Sequence, residues 1–246
     1  MKVFNLVALI LLLLGVVTIN GQTHKIFTDI LQKYVTDGLV NYKALAQDQD
    51  FETYLNQLSN TDPSKLSEKE ELAFWINTYN AFTIKAILDY YPVKSINDIK
   101  FGEKSVWDED FISINNKKYS LNDIEHKILR KMNEPRIHFA IVCASISCPE
   151  LLNEAFESNT LEKQLERQTK TFLNDKTRND FDLKNKKANI SEIFNWFDKD
   201  FGESNKDVLR YIAEFLPADI REDINQNIDE WEILYKNYDW NLNEIK

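Results

Sequence analysis

The segment from Ser67 to Pro92 constrains the fold of this chain more than any other. Ser67-Glu68-Lys69-Glu70 has the spacing of a capping box, in which the serine and the glutamate three residues on satisfy each other's helix-start N–H groups. Pro92 closes the far end, because a proline pushes the residue before it out of the helical region. The pattern predicts one long helix at the centre of the core. At about 100° per residue, Ala73, Ile76, Ile84 and Ile87 all fall within ~40° of Asn80, so an amide points inward among apolar side chains. Left unpaired it would cost about 1–3 kcal/mol. Asn80 therefore either bridges to a neighbouring backbone or lines a site, with Asn77 beside it.

Shorter elements surround that helix. Phe27, Ile30, Leu31, Tyr34 and Val35 recur at helical spacing until Gly38, and a second helix is expected near Phe51 to Leu58. Phe111 to Tyr119 alternates around Asn115-Asn116 and reads as a hairpin, as does Asp180 to Ile190. Ser120 and Asp123 open a helix whose apolar face is Leu121, Ile124, Ile128, Leu129 and Met132. Glu125 falls inside that face and His126 at its edge, and the ~100° between consecutive helical residues leaves Glu125 badly placed to orient His126. Ser191 caps a helix with Ile193, Phe194 and Phe197, another runs from Lys206 to Phe215, and Trp231 to Leu242 reads as a late strand. Helices interspersed with short strands, without regular βα alternation, make the class α+β, with helices on a small, mainly antiparallel sheet.

Ile137-His138-Phe139-Ala140-Ile141-Val142-Cys143 has no solvent-facing alternation and reads as a central strand buried on both faces. Cys148-Pro149-Glu150 then reads as a helix start, with Pro149 at the first helical position. A thiol there feels the positive end of the peptide dipoles, which favours the thiolate.

The first residues carry Lys2 and an unbroken apolar run from Leu6 to Val17, the pattern of a secretory signal peptide with cleavage after Gly21. The run falls short of the ~20 residues that cross a bilayer, so the expected product is a released, exported protein, periplasmic or extracellular, with no membrane span. Residues 22–246 remain as one α+β domain. The formal charge of −10, spread along the chain, disfavours nucleic acid and anionic membrane as partners. Aromatics at 12%, with only five Gly and five Pro, favour a packed core over disorder. The oligomeric state is not legible.

Several phrases together resemble the domain of unknown function 547 family: AFWINTYNAF (73–82), SLNDIEHKILR (120–130), RIHFAIVCASISCPEL (136–151), ISEIFNWFDKDFG (190–202) and YDWNLN (238–243). The resemblance implies a general layout like that of papain-type or transglutaminase-type cysteine enzymes, in which the cysteine precedes the histidine. Here His126 and His138 both come first, which requires a permuted order or excludes the comparison.

Two cysteines and three histidines are the whole inventory for thiol or soft-ligand chemistry. Cys148 is the leading nucleophile and Cys143 the alternative. A strand of ~3.3 Å per residue would hold His138 some 20 Å from its far end, so His126 is favoured over His138 as base. A buried His138 reads otherwise as part of an internal ion-pair cluster with Glu125 and Arg136. Asn80, Asn77 and Arg136 are the candidate substrate-binding residues. The expected activity is thiol-dependent hydrolysis or acyl transfer on an amide or ester, with backbone N–H groups after Pro149 holding the oxyanion and no cofactor. Three readings compete with it. A disulfide between the cysteines suits an exported protein. Cys143, Cys148, His126 and His138 could ligate zinc, although C-x4-C is loose for it. A non-catalytic module could bind a small molecule, peptide or saccharide through Trp107 and the amides. The export expectation is checked by N-terminal sequencing of the secreted protein: the chain should start at Gln22, and detection of Met1 or Leu6 would refute cleavage.

Overall fold

The computed structural model of the protein describes residues 23–245, so the expected signal peptide lies outside the described residues. Helix α1 (Lys25–Tyr34) leads into a two-residue hairpin of β1 (Val35–Thr36) and β2 (Leu39–Val40), turned by Asp37 and Gly38 at positive φ. The short α2 (Tyr42–Leu45) and α3 (Gln49–Asn60) follow, and then α4 (Glu68–Tyr90). Its capping box forms as expected, with Glu70 accepting from the Ser67 N–H at 2.9 Å. Fourteen residues of α4 are buried, from Ala73 to Ile87, so its hydrophobic girdle runs all the way round, as expected of a core helix. Two hairpins follow: β3 (Lys100–Phe101) with β4 (Lys104–Ser105), and β5 (Ile112–Ile114) with β6 (Lys117–Tyr119). Asn115 and Asn116 turn the second at φ 47° and 62°, the left-handed values that asparagine tolerates.

Beyond the 120–139 region lie α5 (Leu161–Asn174), β7 (Asp180–Asp182), β8 (Lys187–Ile190), α6 (Ile193–Trp196), α7 (Asp198–Phe201), α8 (Asn205–Ala213), α9 (Ala218–Asn227) and β9 (Glu232–Tyr235). The expected hairpin is β7–β8, and β9 adds to β8 in parallel, with Ala188 opposite Ile233. Helices α5 and α9 were not foreseen. The architecture is α+β. No helix of the described residues is long and apolar enough to cross a membrane.

Two hydrophobic clusters form. One surrounds α4, and the other gathers Phe139, Phe172, Phe194, Phe201 and the apolar face of α8. The segment 137–142 threads between them, with Ile137, Ala140, Ile141 and Val142 in the first and Phe139 in the second. This corrects the expected central strand. The backbone of Pro135–Phe139 is a 3-10 helix, and the chain continues to Cys143 without a β partner, the first bridge being Ser145 to Leu242. Burial on all sides was legible, but an apolar run buried all round has the same signature whether extended or coiled. Side-chain amides replace the missing strand neighbours. Asn80 donates to the Ala140 carbonyl at 2.9 Å and accepts from the Val142 N–H at 2.8 Å. Asn77 does the same for Phe156, at 2.8 and 2.9 Å.

The expected helix at Cys148 is also absent. Gln168 takes the Glu150 carbonyl at 2.7 Å, Arg178 takes the Cys148 carbonyl at 2.7 Å, and Leu151 bridges to Gly38. These contacts hold the loop in place of a helical ladder. A Cβ on Gly38 would come within 2.7 Å of Glu150 Cγ, so the glycine sets how closely this loop docks.

Replacing Asn80 by Leu strands the Ala140 carbonyl and the Val142 N–H together. The expected loss is at least ~1–3 kcal/mol in denaturant unfolding, and an unchanged midpoint would show that other groups satisfy both atoms.

Candidate active site

The 120–132 segment begins with the expected reciprocal cap, Ser120 Oγ accepting from Asp123 N–H at 3.0 Å and Asp123 accepting from Ser120 N–H at 3.2 Å. It then winds as a π-helix over Asp123–Ile128 and tightens to a 3-10 turn over Leu129–Met132. Wide turns of this kind recur at functional sites. This one brings Glu125 and the adjacent His126 onto the same cleft. His138, Cys143 and Cys148 line it too, so the separation argued from an extended strand does not exist. A 3-10 helix advances only ~2.0 Å per residue, and Ala144, at φ 56°, turns the chain back.

His138 is 3% exposed and stacks on Phe197 at 4.2 Å between ring centres. Its Nε2 lies 2.7 Å from Asp200 on α7. Arg130 grips the same carboxylate at 2.5 and 2.8 Å. Partial burial alone would raise the Asp200 carboxyl, but its bonds to His138 and Arg130 win and hold it well below the usual carboxylate range. An ionised Asp200 can only accept, so Nε2 of His138 carries the proton and, in the neutral ring, Nδ1 carries the lone pair. Burial lowers the imidazole's pKa against the pull of Asp200, which keeps the ring neutral near pH 7. Among the described residues Nδ1 has no hydrogen-bond partner.

His126 differs. Its Nδ1 is 3.1 Å from Arg130 Nη1, and a guanidinium can only donate, so the proton of His126 sits on Nε2. Burial, followed by the Arg130 charge, lowers this imidazole as well. His126 thus presents a donor, and His138 is the ring with a free lone pair. Glu125 is 8% exposed and accepts from the Tyr79 hydroxyl at 3.2 Å. Burial raises its carboxyl to about 7, outweighing the opposing Tyr79 bond and Arg130 charge.

Cys143 and Cys148 are joined as a disulfide with Cα atoms 6.2 Å apart. Cys148 is 3% exposed, whereas Cys143 is partly exposed. The Cys143 N–H points to Cys148 Sγ at 2.8 Å. The Tyr238 hydroxyl lies 3.2 Å from the Cys143 sulfur and 3.4 Å from that of Cys148. Among the described residues no three His, Cys, Asp or Glu side chains converge as a metal site.

Three expected assignments change. Arg136 is outside the cleft, paired with Glu134 at 2.6 Å and Glu162 at 2.5 Å. The Glu125–Arg136–His138 cluster is replaced by His138–Asp200–Arg130, because the ~120° step of a 3-10 turn sends residues 136 and 138 to different sides. Both amide ends of Asn77 and of Asn80 are committed to backbone. Trp107 does line the cleft, with its indole N–H on Asn97 at 3.2 Å. Residues not foreseen include Tyr79, Arg130, Trp196, Asp200, Tyr238 and Trp240. Four of these lie in the phrases 190–202 and 238–243, where an acid among aromatics was the available signal.

Residues 63–173 match the family described as "Protein of unknown function, DUF547". The chain thus contains a DUF547 segment. No curated protein and no solved structure matches it. The DUF547 segment contains Tyr79, Glu125, both cleft histidines and both cysteines, while Asp200, Tyr238 and the Trp196–Trp240 pair lie beyond it.

Glu125 links the cleft to folding. Its pKa is raised on folding from 4.5 to about 7, so the stability tied to its bound proton is present in full below 4.5 and lost as pH rises through 7. Glu125→Gln should remove that dependence, gaining up to ~3 kcal/mol relative to wild type between pH 5 and pH 8. Parallel urea midpoints for the two proteins at both pH values would contradict it.

Proposed function

We propose that the protein is a thiol-dependent acyl-transfer enzyme, a hydrolase or transferase acting on an amide or ester outside the cytoplasm, with Cys148 as nucleophile once the disulfide is reduced. The observation that carries this reading is the His138–Asp200 pair at 2.7 Å, whose unpartnered Nδ1 belongs to a ring lining the same cleft as Cys148. His138 replaces His126 as the base, since its lone pair is uncommitted. The thiolate is favoured by the Cys143 N–H and the Tyr238 hydroxyl in place of a helix dipole.

In the reduced protein the Cys148 proton passes to His138 Nδ1, and Asp200 stabilises the resulting imidazolium. The thiolate attacks the carbonyl carbon, and the electron pair displaced onto oxygen is met by the Nε2–H of His126. Collapse expels the amine or alcohol, which takes the proton from His138 and leaves a thioester. Water or a second nucleophile, deprotonated by His138, attacks the thioester and releases Cys148.

A second reading, a non-catalytic module for a saccharide or peptide, is favoured by the aromatic lining. Trp107, Trp196, Trp240 and Tyr238 all face the cleft, and Trp196 is 44% exposed. The readings separate when the reduced protein is incubated with a p-nitrophenyl acyl ester and mapped by mass spectrometry. The acyl group should appear on Cys148, vanish in Cys148→Ser and form roughly 10²-fold or more slowly in His138→Ala. The acid limb of the rate should lie below 6.5, since burial lowers the His138 pKa. An unacylated Cys148 throughout pH 5–9 would sink the enzyme and leave the binding module.

A further inference from the structure

We infer that the Cys143–Cys148 disulfide is itself reactive and oxidises dithiols of polypeptide substrates by thiol–disulfide exchange. This activity shares the cleft with the proposed acyl transfer but does not rest on it. Three observations converge. The disulfide lies at the edge of the core and lines an open cleft. Its sulfurs are unequal: Cys143 is partly exposed, and Cys148 is 3% exposed. The buried sulfur also has a backbone N–H aimed at it, 2.8 Å away. In exchange, the sulfur that is reached and the sulfur that leaves are different atoms, and a stabilised leaving thiolate departs faster. The geometry therefore assigns attack to Cys143 and departure to Cys148. The Tyr238 hydroxyl, 3.2 and 3.4 Å from the two sulfurs, supplies one proton to whichever sulfur carries charge.

The first substrate thiolate attacks Cys143 Sγ. The S–S bond breaks, its electron pair leaves on Cys148, and a mixed disulfide joins substrate to Cys143. The substrate's second thiolate then attacks its own sulfur in that mixed disulfide and expels the Cys143 thiolate. The substrate leaves with a disulfide, the protein holds a dithiol, and the two protons of the substrate thiols end on the cysteines. A small-molecule disulfide re-oxidises the protein by the same two displacements in reverse. Polypeptide is the favoured substrate because Tyr238 packs with Trp196 at 4.8 Å and Trp240 at 4.7 Å beside the disulfide. These rings form an apolar shelf for side chains flanking a substrate cysteine.

The test follows oxidation of a fluorogenic two-cysteine peptide in a glutathione redox buffer. Wild-type protein should exceed the buffer rate by roughly tenfold or more, Cys143→Ser and Cys148→Ser should fall to that rate, and Tyr238→Phe should lie between. Cys148→Ser mixed with the oxidised peptide should accumulate a mixed disulfide mapped to Cys143. Thermal melts of each variant separate loss of fold from loss of chemistry. Wild-type protein at the buffer rate, two free thiols in the air-oxidised protein, or a mixed disulfide that forms faster on Cys148 of Cys143→Ser than on Cys143 of Cys148→Ser would each overturn the assignment. Cys143→Ser cannot exchange yet keeps Cys148 for acylation by the ester, so failure of either activity is read independently of the other.

Discussion

Buried side-chain amides that hydrogen-bond irregular backbone are the interaction on which the rest of this structure depends. The segment 137–157 runs through the interior with almost no ladder of its own, and an interior peptide group without a partner is costly. Asn77 and Asn80 reach it from α4, and Gln164 and Gln168 from α5. Gln164 donates to the Ala155 carbonyl at 2.8 Å and accepts from the Glu157 N–H at 3.0 Å. These four side chains stand in for the neighbouring strands of a sheet. They let the chain coil, and coiling brings a histidine and two cysteines to one cleft that an extended strand would have held apart.

Charge beside the cleft is organised by one guanidinium. Arg130 binds Asp200, donates to His126 and lies 5.3 Å from the centre of the Phe197 ring, against which His138 also packs. Its fixed proton count decides the others. Asp200 must be ionised, His126 must accept at Nδ1, and His138 must donate at Nε2. Two imidazoles only 12 residues apart in sequence thus end with opposite capacities, one offering a proton and the other a lone pair. The residue types alone could not separate them, since the distinction lies in partners 4 and 62 positions away.

What the sequence made legible follows the range of the interaction responsible. The capping boxes at Ser67 and Ser120, the Asn115-Asn116 turn and the inward phase of Asn80 are set by residues within one or two turns, and all appear as read. Pro149 at a helix start and Ile137–Cys143 as a strand were also local inferences, and each was overruled by a distant side chain: Gln168 and Arg178 for the first, Asn80 for the second. The site suffered likewise. Glu125, His126, His138 and Cys148 do share the cleft, but Asp200 and Tyr238 come from phrases read only as signs of kinship, and the amides read as substrate contacts are structural. An unrecognised tertiary partner accounts for each discrepancy.

The wall of the cleft has a consequence for how the chain matures. Tyr238 closes over sulfurs 95 and 90 positions earlier in the chain. Synthesis is vectorial, so the cysteines emerge well before the ring that shelters them. During that interval they are ordinary exposed thiols, free to pair with each other, with a foreign thiol or with another nascent chain. The local backbone limits that choice: the left-handed turn at Ala144 doubles the chain back between them and brings the two cysteines within 6.2 Å at Cα. Correct pairing can therefore be fixed by a hexapeptide before the cleft around it has been built.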